Sequence, residues 1–451
     1  MSALARWFLA QNWLISGSDA AKTIITQELQ KEGLKVKIGH KKADLGPKTG
    51  LLVYSQAVKQ GNPELKKAEA LKTPALSYPE ATGNLTKIYK TIAVAGSHGK
   101  STTTALVSLI LKNNGINPTV ILGTNLKEFG GKNFNAGKSS YLVLEADEWM
   151  ASFLHYSPTF TLITNIDREH LDFYKNLEDI KKTFLKFLSR TKNGGVLVLN
   201  RDNKPLLSLK SKIEKIGRQK NLKIFWYSIR EPIATKIRKI IKIPGEHNIS
   251  NAVAAYTLCH ILKVPEQKIL SALSRYQGAW RRMEYKGELR IMNKELMGEK
   301  KTIIHNSKFI IHVYDDYAHH PTEIKATLQA FHEKFPKSKI ICVFQPHQAK
   351  RLQALFKEFV GAFDGADILI LLPIYQVAGR DKSNPLFTSE KLAAAIRKRN
   401  PTKPVFYLKN PGNLKRELTK ILHSKFYILN SPVIVMMGAG DIVKYTDSLI
   451  S

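Results

Sequence analysis

From residue 91 onward, short apolar runs alternate with longer stretches in helical spacing, and this alternation limits the fold more than any other feature. The first series reads Thr91–Ala95, Lys100–Lys112, Tyr141–Leu144, Phe160–Thr164, Leu177–Leu188 and Val196–Leu199, followed by a helix from His247 to Leu262. After Gly278-Ala279-Trp280-Arg281-Arg282 a second series begins: Phe309–Val313, Thr322–Phe335, Lys339–Phe344, Ala349–Phe363, Ile368–Leu372 and Pro432–Met437. Strands separated by helical patterns of roughly 10–15 residues imply parallel sheets with helical crossovers. The N-terminal portion adds a helix over Met1–Asn12, a short strand ending at Ser16-Gly17-Ser18-Asp19, a helix over Thr23–Glu32 and strands at Val36–Ile38 and Gly50–Tyr54. A turn-rich segment, Thr73–Asn84, separates it from the next strand. The expectation is an α/β protein of three domains, 1–90, 91–279 and 280–451.

Composition narrows the class. The chain has 451 residues and is 43% hydrophobic, which excludes a largely disordered protein. No run reaches the ~18 consecutive apolar residues of a membrane span. The apolar start, Met1 to Trp13, contains Arg6 and is followed by no small-residue cleavage motif, so a secretory signal is not expected. The two cysteines, Cys259 and Cys342, stand alone in apolar segments and read as core residues of a reducing compartment. The net charge of +33 raises nucleic acid as a partner, but only 16 of the 70 basic residues are Arg. No basic run of five occurs, and scattered Lys reads as a solvated surface; neither nucleic acid nor a membrane is an expected partner.

Local chemistry is densest where the first strand ends. Ile92-Ala93-Val94-Ala95 runs into Gly96-Ser97-His98-Gly99-Lys100-Ser101-Thr102, and a helix opens at Lys100. Glycines let backbone N–H groups approach phosphate oxygens, the helix start favours anions, and a lysine reaches the terminal phosphates. Ser101 is placed for Mg²⁺. The generic pattern wants glycine where Val94 stands, so the strict motif is not met. The next two strands end in Glu145-Ala146-Asp147-Glu148 and Asn165-Ile166-Asp167-Arg168-Glu169-His170. Ligand sites of open α/β sheets lie beyond the carboxyl ends of strands, so Ser101, Glu145 and His170 are candidate ligands for Mg²⁺ or Mn²⁺ beside ATP.

With these motifs in order, the chain resembles the Mur ligase family over nearly its whole length. Gly96-Ser97-His98-Gly99-Lys100-Ser101-Thr102-Thr103 matches that family's phosphate loop, which lacks the generic first glycine. His247-Asn248 with Asn251 resembles its adenine-side motif. Asp315-Asp316-Tyr317-Ala318-His319-His320-Pro321-Thr322-Glu323 and Phe344-Gln345-Pro346-His347 are characteristic of the alanine-adding branch and its tripeptide-ligating relatives.

The resemblance implies a Rossmann-like N-terminal domain, a central phosphate-loop ATPase domain and a Rossmann-like C-terminal domain. It implies an ATP-dependent ligase joining L-alanine to UDP-N-acetylmuramate through an acyl phosphate, in cytoplasmic peptidoglycan synthesis, as a monomer or homodimer. Lys100, Glu145 and His170 would be catalytic. Gly96 to Thr102, with His247, Asn248, Asn251, Arg281, Arg282 and Asp316, would hold the nucleotide: Arg281 or Arg282 at phosphate, Asp316 at ribose. Tyr317, His319, His347 and Arg351 would line the amino-acid side, while Ser18, Asp19 and Ser55 would face the uridine diphosphate. The alternatives are a related ligase adding a peptide or another amino acid, and a non-catalytic nucleotide-binding relative. Two departures stand out. Gln348 occupies a position where the family usually has Arg, and the N-terminal domain lacks its first strand and Gly-rich loop. The second departure makes Met1 an expected internal methionine of a longer reading frame.

Overall fold

The computed structural model describes residues 1–41, 44–291, 309–376, 384–422 and 432–450. The chain divides into two compact units. One comprises Met1–Asp167, Glu178–Ile233 and Asn251–Leu273; the other comprises Arg168–Leu177, Ala234–Ser250 and Ser274–Ser451. Among the described residues no helix is long and apolar enough to cross a membrane.

The first unit opens with strands β1 (Ser16–Asp19), β2 (Lys35–Ile38), β3 (Leu52–Tyr54) and β4 (Ala75–Ser77). These form two parallel pairs, β1 with β2 and β3 with β4. The leading helix, Ser2–Ala10, is anchored by buried Arg6, whose guanidinium binds Glu32 at 2.8 Å and Asn133 at 2.6 Å. The segment expected to be turn-rich, Thr73–Asn84, is instead β4 followed by a helix, Tyr78–Ile88. The reason is local. Ser77 and Glu80 form a capping box, with the Ser77 N–H donating to Glu80 Oε2 at 2.7 Å and Pro79 in the first turn. Gly83 inside that helix lets it approach the backbone of His155, where a Cβ would stand 2.5 Å from the carbonyl oxygen.

The unit's main sheet has seven strands: β5 (Lys90–Ala95), β6 (Thr119–Leu126), β7 (Lys132–Asn135), β8 (Tyr141–Glu145), β9 (Phe160–Ile163), β10 (Val196–Asn200) and β11 (Lys223–Tyr227). Their order is β11-β10-β9-β5-β8-β6-β7, parallel except for β7. Strand β5 is therefore central, flanked by β8 and β9, with Val94 beside Glu145 and Ala95 beside Ile163. That register brings three carboxyl ends side by side. The helix Lys100–Asn113 is buried from Ser101 to Leu111, as a crossover packed under a sheet must be.

The second unit is built on β12 (Glu284–Ile291), β13 (Phe309–Asp316), β14 (Ile340–Phe344), β15 (Ile368–Leu371), β16 (Val405–Tyr407) and β17 (Val433–Met437). Their order is β12-β13-β17-β14-β15-β16, with only β12 antiparallel. Alternating residues of β14 feed two cores. Ile340, Cys342 and Phe344 pack with Phe331, Phe359 and Phe363, while Ile341 and Val343 pack with Leu418 and Met436. Cys259 and Cys342 are both buried and free, as core residues. The stretch 349–363, expected as one helix, is two short ones, Ala349–Ala354 and Phe356–Val360, broken at Leu355.

Candidate active site

The phosphate loop leaves β5 through Gly96 at φ +140° and enters its helix through Gly99 at φ +80°. Both conformations favour glycine, and space agrees. A Cβ on Gly96 would stand 2.0 Å from Thr164 Oγ1, and one on Gly99 would stand 2.3 Å from Asn251 Oδ1. The loop is held from β9's end. Asn165 accepts from the His98 N–H at 2.8 Å and donates back to the His98 carbonyl at 2.9 Å. The Thr164 hydroxyl donates to the same carbonyl at 2.6 Å. Ser97 Oγ accepts from the Asp167 N–H at 2.8 Å, and the His98 ring meets Asp167 Oδ2 at 2.9 Å. Thr102 lies buried in the helix's first turn.

Lys100 Nζ curls back over the loop, donating to the Gly96 carbonyl at 2.7 Å and to buried Glu148 Oε2 at 2.9 Å. Burial opposes its charge, but Glu148, Asp147 and Glu145 outweigh that and hold its pKa above the ordinary lysine value. Glu145 accepts from Ser101 Oγ at 2.9 Å and from the Gly123 N–H at 2.8 Å. Burial raises its pKa, with Lys100 acting against the rise. A hydroxyl and a carboxylate so placed are hard oxygen donors of the kind Mg²⁺ takes. The sequence brought Ser101 and Glu145 forward correctly as neighbours. It did not single out Glu148, Asn165 or Thr164 as site residues, although each stands at the carboxyl end of a strand beside β5.

The N-terminal candidates lie in the first unit, each with partners nearby. Ser18 bonds His40 Nδ1 at 2.8 Å and also Glu64, which sequence reasoning did not single out. Asp19 and Ser55 serve local turns, accepting from the Ala21 and Ala57 amides.

In the second unit, a cluster forms beyond β13 and β14. The Tyr317 and His319 rings meet edge to face at 5.3 Å, His319 lies 5.8 Å from His347, and His347 stacks on Tyr375 at 5.5 Å. Gln348 adopts φ +70°, a strained backbone held by its N–H to the Tyr375 carbonyl at 3.0 Å, and this turn aims His347. His319 Nδ1 lies 2.9 Å from the Tyr317 carbonyl, so the neutral tautomer carries its proton there. Burial and then Arg351 push the His319 pKa down to about 4. Arg351 is buried; its Nε and Nη2 donate to Glu169 Oε1 at 3.1 and 2.7 Å.

The two arginines separate. Arg281 is buried, donating to Asp315 at 3.1 Å and to the Gly438 and Gly440 carbonyls, so its guanidinium is committed to the fold. Asp315, with its other oxygen unbonded among the described residues, has its pKa raised by burial to about 6 despite Arg281. Arg282 is partly exposed and lies over the Tyr317 ring at 5.1 Å, which leaves it the better placed of the two for a phosphate. Asp316, expected at ribose, has its carboxylate engaged within the fold. Its carboxylate is buried, accepting from the Met283 and Ala318 amides at 2.8 and 2.9 Å and from Thr327, and it shapes the turn. The helix Glu246–Ile261 carries His247, Asn248 and Asn251 at i, i+1 and i+4. Asn248 donates to the Pro244 carbonyl at 2.7 Å. His170 lies in the second unit at φ +53°, its carbonyl closing a turn with Phe173 and Tyr174.

Three family models match the chain: a Mur ligase family catalytic domain over residues 1–90, the Mur ligase middle domain over 94–259, and the Mur ligase glutamate ligase domain over 302–440. The UDP-N-acetylmuramate–L-alanine ligase of Sulfurihydrogenibium sp. is 36% identical over 460 residues, covering all of this chain and 94% of that enzyme. The chain belongs to the Mur ligase family. Among solved structures, this Mur ligase is similar in fold to the UDP-N-acetylmuramate–alanine ligase of Thermotoga maritima, with TM-score 0.74, 23% identity and coverage of 100% and 95%. It is also similar to a murein peptide ligase of Psychrobacter arcticus, with TM-score 0.67, 20% identity and coverage of 100% and 97%. The expected α/β architecture of the family is therefore the observed one.

Proposed function

We propose that this Mur ligase joins L-alanine to UDP-N-acetylmuramate at the expense of ATP, in the cytoplasmic building of peptidoglycan. The observation that carries the reading is a phosphate loop in which Ser101 bonds Glu145 and Lys100 bonds Glu148, in a chain matched end to end by enzymes of that name. In the first step a substrate carboxylate oxygen bonds to the γ-phosphorus, the β,γ P–O bond breaks and ADP leaves. In the second, the amine of alanine attacks the acyl carbon, its proton is lost, and phosphate departs with the carboxylate oxygen.

Residues 1–90 would bind the nucleotide sugar, 91–279 ATP and 280–451 the amino acid; the bounds of the three family models support this division. The loop amides from Gly96 to Thr102 would cradle phosphates, and Lys100 would leave the Gly96 carbonyl to meet the transferred group. Ser101, Glu145 and His170 would hold Mg²⁺ or Mn²⁺, which when bound neutralises phosphoryl charge. His247, Asn248 and Asn251 would hold adenine, and Arg282 a phosphate. Tyr317, His319, His347 and Arg351 would receive the amino acid, Arg351 by bidentate contact with its carboxylate. Ser18, with His40, would face the uridine diphosphate.

Phosphate release from ATP tests the reading, measured with UDP-N-acetylmuramate and single amino acids or a tripeptide. Release that requires the nucleotide sugar and alanine together is expected. Release only with tripeptide would replace alanine by a peptide as the second substrate, and release with neither would reject ligation.

A further inference from the structure

The side chain best suited to receive the amino acid's carboxylate is already holding one. Arg351 presents its Nε and Nη2 edge to a single oxygen of Glu169, at 3.1 and 2.7 Å, and both side chains are buried. Its Nη1 donates to the His347 carbonyl at 3.1 Å. Little of the guanidinium is left for another bidentate partner. Glu169 reaches this place because the strip that carries it is moored in the second unit. The Arg168 carbonyl lies 3.0 Å from His320 Nε2, Arg168 binds Glu358 at 2.7 Å, and Leu171 packs on the core beneath.

We propose that Glu169 is an internal stand-in for the amino-acid carboxylate, which must displace it from Arg351 to bind. The inference rests on the functional reading given above for Arg351. A buried guanidinium without a counter-charge is costly, so the empty enzyme gains from holding one. The same occupancy weakens amino-acid binding. A guanidinium edge vacant only about a tenth of the time binds its ligand roughly tenfold more weakly than one always vacant. Glu169 directly precedes His170, so its displacement by the incoming amino acid would also shift the backbone of a proposed metal ligand.

The test compares wild type with Glu169→Gln and Glu169→Asp in the phosphate-release assay, with thermal melting to establish folding. Glu169→Gln keeps the side chain's size and removes its charge. The KM for alanine is expected to fall about tenfold while the KM for ATP stays within about twofold. Glu169→Asp, still anionic, should keep a KM for alanine closer to wild type, which a merely structural loss would not produce. An unchanged or raised KM for alanine in Glu169→Gln would overturn the assignment and make Glu169 a fixed support of Arg351. A wild type inert with alanine would instead overturn the functional reading, and this proposal with it.

Discussion

In the proposed reaction, Lys100 is the residue on which most of the chemistry turns. Its amine is held, charged, between a loop carbonyl and Glu148. Lys100→Ala should lower kcat by at least about a hundredfold, and it should also lower the melting temperature of a still cooperative transition, since buried Glu148 loses its ion pair with Lys100. Turnover within about tenfold of wild type would show that the phosphates lie elsewhere. His319 supports a second prediction. Its folded pKa of about 4 is below the ordinary 6.5, so between these values the unfolded chain binds the extra proton and stability falls as pH falls. Below about 4 that contribution has been lost, and above about 6.5 it is fully present. His319→Gln should flatten the pH dependence of unfolding in this window; an unchanged slope would mean that the imidazole is not buried neutral. At this scale the sequence was most informative where a residue type has few alternative uses. Gly96, Gly99, Lys100 and Ser101 were legible, because strand, glycine turn and helix stand in register. For Asp316 and Arg281 the sequence leaves two uses open, since a carboxylate and a guanidinium serve a buried turn as readily as a ligand; in the structure both are bonded within the fold.

The elements place these residues by a simple rule. Strand β5 lies between β8 and β9, so the loop after β5 is held by the ends of both, with Glu145 on one side and Thr164 and Asn165 on the other. Gly96 is the point where this arrangement has least room. Gly96→Ala should cost more than about 3 kcal/mol of stability or detach the loop from Asn165, because the new methyl collides with Thr164 in a conformation that already disfavours a side chain. Chemical denaturation of the variant checks this, and a midpoint equal to wild type would contradict the packing described. Element boundaries were legible where hydrophobic period and crossover length agreed, as in the helix Lys100–Asn113. They failed at Thr73–Asn84, where the residues that look like a turn, Ser77, Pro79 and Gly83, are a helix cap, a first-turn proline and a close-approach glycine.

For the whole molecule, the alternation of strands and helices led to parallel sheets, and among the described residues largely parallel sheets of seven and six strands are what formed. Strand order was beyond the sequence. Nothing local says that β17, last in the chain, inserts between β13 and β14, because that choice is made by burial on both faces of a completed sheet. The net charge of +33 likewise carried no fold information, as expected of solvated lysines. The function rests on claims about bonds: a carboxylate oxygen takes the phosphoryl group and leaves with phosphate. The most direct measurement uses UDP-N-acetylmuramate labelled with ¹⁸O in its carboxylate, ATP and L-alanine, with mass analysis of the released phosphate. The account predicts one ¹⁸O atom in each phosphate formed with the alanyl product; phosphate released without label would mean that ATP is hydrolysed by water and that no acyl phosphate forms.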